Sequence, residues 1–169
     1  LLLPYRYPGV PLNRVGGPHR RRVLVDPLMV VAPTGHPITD HEPSLAELAG
    51  QEWICGAPGI HNRVSLESAA AAAGVRVDVV YETRDYEVAL ALIEAGVGVA
   101  LVPLSILGAA RAGGWVSRPL RDVRLAREIY AVHRPRPPEP VPAMVAVLRG
   151  VAGRALGPGV PGGRGAGEG

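Results

Sequence analysis

Between Val77 and Pro103 the apolar positions change their period twice. Val77, Val79 and Tyr81 alternate with Asp78 and Val80, the two-residue repeat of a strand. Val88, Ala89, Leu92 and Ile93 then share one face of a helix, with Glu87, Ala91 and Glu94 elsewhere around it. Val97 to Val102 is a short uncharged run, as expected of a strand buried in a parallel sheet. The junctions agree with this order. Asp85 is suited to cap the helix because its carboxylate can accept from first-turn amides. Gly96 supplies a left-handed stop. Pro103, lacking an amide, ends the strand where another helix can begin. Gly96 and Gly98 form a GxG, but a dinucleotide loop follows a strand and opens a helix. Here the order is reversed, which excludes that reading.

The same patterns extend along the chain. Leu1 to Tyr7 reads as a strand, and Pro8 to Arg22 as a loop rich in Pro, Gly and Arg. Val23 to Ala32 holds two apolar runs, VLV and LMVVA, separated by Asp26-Pro27. Thr34 to Pro43 is a polar connection. Ser44 and Glu47 have capping-box spacing, predicting a helix. Trp53 to Cys55 is a strand followed by a turn at Gly56 to Gly59, after which Asn62 is placed to cap a helix that stops at Gly74. Leu104 to Ala112 reads as a short helix, Glu128 to His133 as a strand, and Arg134 to Pro140 as a stiff crossing. Pro142 to Ala155 is the last helix, with Met144, Val145, Val147, Leu148 and Val151 largely on one side. Gly157 to Gly169 has too little apolar content to fold. Strands alternating with helices at this spacing predict an open, mostly parallel α/β sheet.

The chain's 169 residues suit about one domain. Its basic residues are all Arg, Phe is absent, and Ala, Gly and Pro are abundant. That is the codon bias of a GC-rich genome, so the Arg content is poor grounds for nucleic-acid binding. The net charge of +3 is unevenly spread, acid-rich over Asp40 to Glu94 and basic over Arg111 to Arg136. A single cysteine, Cys55, rules out an intrachain disulfide framework and fits a reducing cytoplasm. The longest uncharged run, Ala95 to Ala110, is interrupted by Pro103 and falls short of a membrane span. No signal-peptide pattern is visible, and since Leu1 already opens a strand-like segment, the natural N-terminus is expected upstream.

Three segments, in this order, carry a family resemblance: DPLMVVAPTGHPI at Asp26 to Ile38, SLAELAGQEWI at Ser44 to Ile54, and VYETRDYEVALALIEAGVGVALVP at Val80 to Pro103. With EIYAVHRP at Glu128 to Pro135 and a closing helix, the chain resembles the effector-binding domain of LysR-type transcriptional regulators over residues 1 to 155. The resemblance implies a type 2 periplasmic-binding-protein fold, an open doubly wound mixed sheet in two α/β lobes joined by crossing segments. On that pattern 1–33 are a remnant of the first lobe with the first crossing strand, and 34–134 a complete second lobe. Residues 135–156 are the second crossing and the C-terminal helix of the first lobe, and 157–169 a disordered tail. The family's winged helix-turn-helix has no counterpart here, so the chain is expected to be a truncated regulator.

The resemblance further implies a small metabolite, anionic or aromatic, held between the lobes, with no cofactor and no metal. It implies a homo-oligomer for the full-length protein, contact with DNA only through the missing helix-turn-helix, no membrane and a cytoplasmic location. Ligand grooves of doubly wound sheets lie beyond the carboxyl ends of the strands. In this chain those ends give Cys55, Gly56, Ala57 and Pro58, then Thr83 and Asp85, then Pro103, with Thr34 just past the first crossing strand. Amides near Asn62 could hold a carboxylate. Each has a structural alternative: Gly56 to Gly59 as a mere turn, Asp85 as a cap, and Cys55 as a small buried hydrophobe instead of a redox sensor.

Competing classes fare worse. Ser105, His133 and Asp122 lack the context of a nucleophile elbow, so no enzyme is expected. His36, His41 and His61 have no metal-ligand spacing, and Glu42, Glu47 and Glu52 are too dispersed for paired-carboxylate chemistry. The Arg20-Arg21-Arg22 run lacks interleaved aromatics. A periplasmic-type solute-binding protein shares the implied fold, and the HPI segment favours the regulator over it. A non-functional fragment is a further alternative.

Overall fold

The computed structural model describes residues 1–10, 19–111 and 113–155. Its spine is one long strand. β1 (Tyr5–Arg6) is short, whereas β2 (Arg20–Pro33) runs for 14 residues. The first half of β2 pairs antiparallel with β7 (Ala126–Val132), from Arg20 opposite Val132 to Pro27 opposite Ala126, with a register shift between Arg22 and Leu24. β1 pairs with the other edge of β7. The second half of β2 changes partners. It pairs with β5 (Ala100–Pro103) from Leu28 to Val31, and with β6 (Trp115–Arg118) from Val30 to Pro33.

Asp26-Pro27 therefore does not break the strand. The pair interrupts the apolar pattern but not the strand, because the Asp26 carboxylate, 0% exposed, is partnered by residues far along the chain. The predicted parallel sheet is realised on one side only. β3 (Glu52–Cys55) and β4 (Asp78–Glu82) are parallel. β3 is bridged in parallel to Val99, where the Ile54 amide donates to the Val99 carbonyl at 2.8 Å and the Val99 amide to the Glu52 carbonyl at 2.8 Å. β2 is antiparallel to β5, so the whole is mixed. α1 (His61–Ala72) connects β3 to β4, and α2 (Tyr86–Glu94) connects β4 to β5. α3 (Leu104–Leu107) follows β5 directly and stops well before Ala112; α4 (Pro140–Ala155) ends the described chain.

Both faces of the second half of β2 are buried, and its alternation feeds two cores. Leu28, Val30 and Ala32 join Leu45, Leu48, Trp53, Leu66 and Leu101 on one side. Val31 joins Ile54, Ala89, Leu90, Ile93 and Val102 on the other. Each fully buried Leu, Ile or Val contributes about 1.5–3 kcal/mol relative to leaving it in water. α2 buries Ala89, Leu90 and Ile93 but leaves Val88 41% exposed, so its inner face is turned towards Leu90 from the predicted stripe. α4 likewise buries Val145 and Ala152 while Met144, Val147 and Val151 face outward.

Local signals fared better than faces. The Asp85 carboxylate accepts from the Glu87 amide at 2.8 Å and caps α2, and Gly96 ends that helix with φ +79°. Gly98 has a different reason to be glycine: a Cβ there would lie 2.4 Å from the Glu52 carbonyl oxygen, where β3 and the start of β5 join. At Ser44 the capping-box hydrogen bonds form, with the Ser44 amide donating to Glu47 Oε2 at 2.6 Å and holding that carboxyl below its usual pKa. They close only a 3₁₀ turn at Ala46–Leu48. Asn62 does not cap α1; Ile60 occupies that position, and the Asn62 side chain accepts from the Arg63 amide at 2.8 Å. β6 had no counterpart in the sequence pattern. Residues 11–18 of the predicted loop and the glycine-rich tail from Gly157 lie outside the described residues.

Candidate functional site

β3, β4 and β5 end at Cys55, Glu82 and Pro103, and the loops beyond these ends define one side of the molecule. Arg63 fixes the first two loops. Its guanidinium donates to Glu82 Oε1 at 2.7 Å, to Glu67 Oε1 at 2.7 Å and to the Gly56 carbonyl at 3.3 Å. The Thr83 amide donates to the Cys55 carbonyl at 2.9 Å, bringing the ends of β3 and β4 together. Gly56 is packed tightly here, since a Cβ would meet the Ile60 side chain at 2.7 Å and Asn62 Oδ1 at 2.9 Å.

A cavity of about 260 Å³ opens between these loops and the N-terminal segment, lined by Tyr5, Tyr7, Ile60–Asn62, Arg84, Tyr86 and Arg127. Tyr7 is 3% exposed, and its hydroxyl lies 3.3 Å from that of Tyr86. Burial, with Tyr7 beside it, pushes the Tyr86 phenol far above its usual pKa, so its hydroxyl stays protonated. Tyr7 meets Tyr5 edge-on at 5.9 Å and His61 at 6.4 Å. Ile60 gives α1 no side-chain cap, and the Arg63 amide donates to Asn62 Oδ1, so the His61 and Asn62 amides are the first-turn donors that can face an anion.

Arg127 is held from behind. Its Nε donates to Asp26 Oδ2 at 2.9 Å, and its Nη2 to Ser105 Oγ at 3.3 Å. Asp26 also accepts from the Ser105 amide at 3.0 Å and from its hydroxyl at 2.7 Å. Burial works against the charge of Arg127, but the hydrogen bond and attraction of Asp26 outweigh it and raise its pKa. The guanidinium lies 5.8 Å from the Tyr5 ring centre. One buried carboxylate thus fixes a cation at the cavity wall, joining β2, β7 and the start of α3.

None of the eight residues singled out from the sequence lines this cavity. Cys55, Gly56, Ala57, Pro58 and Thr83 belong to its supporting loops, Ala57 by accepting from the Ile60 amide at 3.0 Å. Asp85 is committed as the cap of α2 and lines an adjoining groove, which shares Arg84 and Tyr86 with the cavity and continues to Leu90 and Ile106. Pro103 ends β5 opposite Leu28 and is buried. Thr34 lies apart from the others. It follows the far end of β2, bonded to the Gly114 carbonyl at 2.9 Å and six residues beyond the Leu28–Pro103 pair. At about 3.3 Å per residue that is roughly 20 Å from the loops described. Cys55 is buried, and burial pushes its thiol up to about 11, the environment of an inert side chain. Tyr5, Tyr7, Tyr86 and Arg127 were not anticipated; they come from segments far apart in sequence, and only Tyr86, next to the Asp85 cap, sat near a signal.

Parallel strands whose carboxyl ends open on a polar, aromatic cavity define an α/β small-molecule-binding domain. Residues 11–153 match the family model described as the LysR substrate binding domain, and the chain belongs to that family. HTH-type transcriptional regulator CatR of Pseudomonas putida is 31% identical over 90 residues, which cover 52% of this chain and 31% of that protein. The chain therefore spans less than a third of that curated relative. The regulatory domain of CcmR from Synechocystis, solved in complex with 2-PG, superposes with a TM-score of 0.72 at 16% identity, over 90% of this chain and 74% of that one. HinK, a LysR family regulator from Pseudomonas aeruginosa, gives 0.69 at 15% identity, over 89% and 53%. These likenesses establish the fold as the type 2 periplasmic-binding-protein kind. Among the described residues no helix is long and apolar enough to cross a membrane.

Proposed function

We propose that this chain is the effector-sensing part of a LysR-type regulator and that its 260 Å³ cavity takes a small anionic metabolite. The observation that carries this reading is the convergence of Arg84, Arg127, the uncapped start of α1 and three tyrosine rings on one cavity. Cations and amides suit a carboxylate or phosphate, and the rings suit a flat or unsaturated body. The volume lies below the range of about 300–1,000 Å³ that takes drug-sized ligands, which favours a compact acid. Residues 34–134 act as one lobe, with 1–33 and 135–156 contributing the crossing segments and part of the other. The ligand acts by binding one arrangement of the lobes more tightly than another. Contact with DNA and assembly into an oligomer belong to the whole regulator, which works in the cytoplasm.

The reading is tested by titrating the chain with a panel of small carboxylic and phosphorylated acids, followed by calorimetry. Saturable binding by at least one acid is expected, weakened about tenfold or more by Arg84→Gln. Replacing Ala57 or Thr83 by Trp is expected to displace the supporting loops and abolish the same binding. A ligand that binds equally well to all three variants would place the site elsewhere.

A further inference from the structure

A second concavity, of about 470 Å³, lies where β2 begins and β7 ends against α4, and shares no lining residue with the first. Arg20, Arg21, Arg149, His19 and His133 line it; the Arg20 side chain turns to the Tyr130 face of the strand, which leaves the guanidiniums of Arg21 and Arg149 with the two imidazoles as its cationic side chains. Val145, 6% exposed, forms an apolar floor. Among the described residues no carboxylate lines it. This differs from other clusters in the molecule: Arg6 and Arg22 share Glu128, Arg63 bridges Glu67 and Glu82, and Arg127 is held by Asp26. Arg20, Arg21 and Arg149 form no ion pair among the described residues.

The frame around these cations is ordered. The His133 amide donates to the His19 carbonyl at 3.2 Å, continuing the ladder past Arg20 and Val132. The two imidazoles stack at 5.9 Å and 20°. His133 Nδ1 lies 2.8 Å from the Arg134 carbonyl, which can only accept, so Nδ1 carries the proton and Nε2 is the ring atom left for another partner. Arg20 lies over the Tyr130 ring at 5.8 Å. Like charges gathered around a hollow repel one another until an anion enters it. A hollow also suits a compact ligand better than an extended polyanion, and arginine forks match clustered oxygens two at a time.

We propose that this concavity is a second anion site, taking a small multivalent oxyanion of the phosphate or polycarboxylate class. Its occupant would join α4 to the adjoining ends of β2 and β7, so it acts independently of the cavity between Tyr7 and Arg127. The test is calorimetric titration of the chain with inorganic pyrophosphate and, in a second arm, citrate, at ionic strength held constant with sodium chloride. Saturable binding is expected with a Kd of about 1 mM or lower in at least one arm, and the stronger arm identifies the oxyanion class. Arg149→Gln and Arg21→Gln are each expected to weaken it about tenfold or more, while Arg76→Gln, an exposed guanidinium away from either cavity, leaves it unchanged. Circular dichroism of each variant checks that the fold is retained. The proposal is overturned if neither anion saturates, if both site variants bind like the original, or if Arg76→Gln weakens binding as much as they do.

Discussion

Replacing Asp26 by Ala removes the acceptor of three hydrogen bonds at once, from Arg127 Nε and from the Ser105 amide and hydroxyl. Asp26 is 0% exposed, and the Arg127 side chain only 13%. The guanidinium would be left largely desolvated and unpaired. Breaking a buried pair from one side costs about 3–5 kcal/mol, whereas replacing both partners by apolar groups is close to neutral. With an m-value of about 2 kcal/mol/M in urea, Asp26→Ala should lower the unfolding midpoint by about 2 M. Asp26→Asn keeps one oxygen acceptor and should fall between. Arg127→Met combined with Asp26→Leu should recover most of the loss, giving a coupling of at least about 1.5 kcal/mol in a double-mutant cycle. Urea unfolding followed by tryptophan fluorescence measures these proteins together with the single variants Asp26→Leu and Arg127→Met that complete the cycle. Additive losses, or a midpoint for Asp26→Ala within about 0.5 M of the original, would refute the account of Asp26 as the anchor of Arg127.

Two further predictions concern the sheet. Gly98→Ala drives a methyl to 2.4 Å from the Glu52 carbonyl and should cost about 2–4 kcal/mol. Gly74→Ala, with φ +71° but open space around it, should cost only about 1–2 kcal/mol; equal denaturation midpoints for the two would contradict the close approach of strands. The Cys55 thiol has its folded pKa raised from 9.0 to about 11 by burial, so the unfolded chain ionises first as pH rises. Its contribution is fully present below pH 9.0 and lost on approach to about pH 11. The stability of the native chain should thus fall by about 2 kcal/mol relative to Cys55→Ala between pH 8 and 10.5, and a constant difference would disprove the shift.

Much of the α2–β5 unit was legible because its signals are local. Asp85 caps the helix two residues from its partner Glu87, and Gly96 stops it by its own backbone angle. What distance decides was not legible. Asp26 interrupts the apolar pattern with nothing nearby to neutralise it; its partners are Ser105 and Arg127, 79 and 101 residues away. The apolar stripe of α2 was placed on Val88 because periodicity gives a face but not its rotation about the helix axis. The loops at the strand ends were found by the doubly wound pattern, but the cavity beside them is completed by Tyr5 and Tyr7 from the first segment and Arg127 from β7. No spacing rule connects residues drawn from four separate segments.

The exchange of partners along β2 has a consequence for how the chain is made. Its C-terminal half can pair only after β5 and β6 have been synthesised, and its N-terminal half waits longer for β7. The Arg22–Glu128 contact closes 106 residues of chain. During elongation at about 5–20 residues per second, the segment Val23 to Ala32 remains without its partners for several seconds or more. Asp26 is the one charge in that apolar stretch. A charge inside an apolar stretch disfavours intermolecular strand pairing while the partners are missing, and the same carboxylate meets Arg127 only when the last strand arrives.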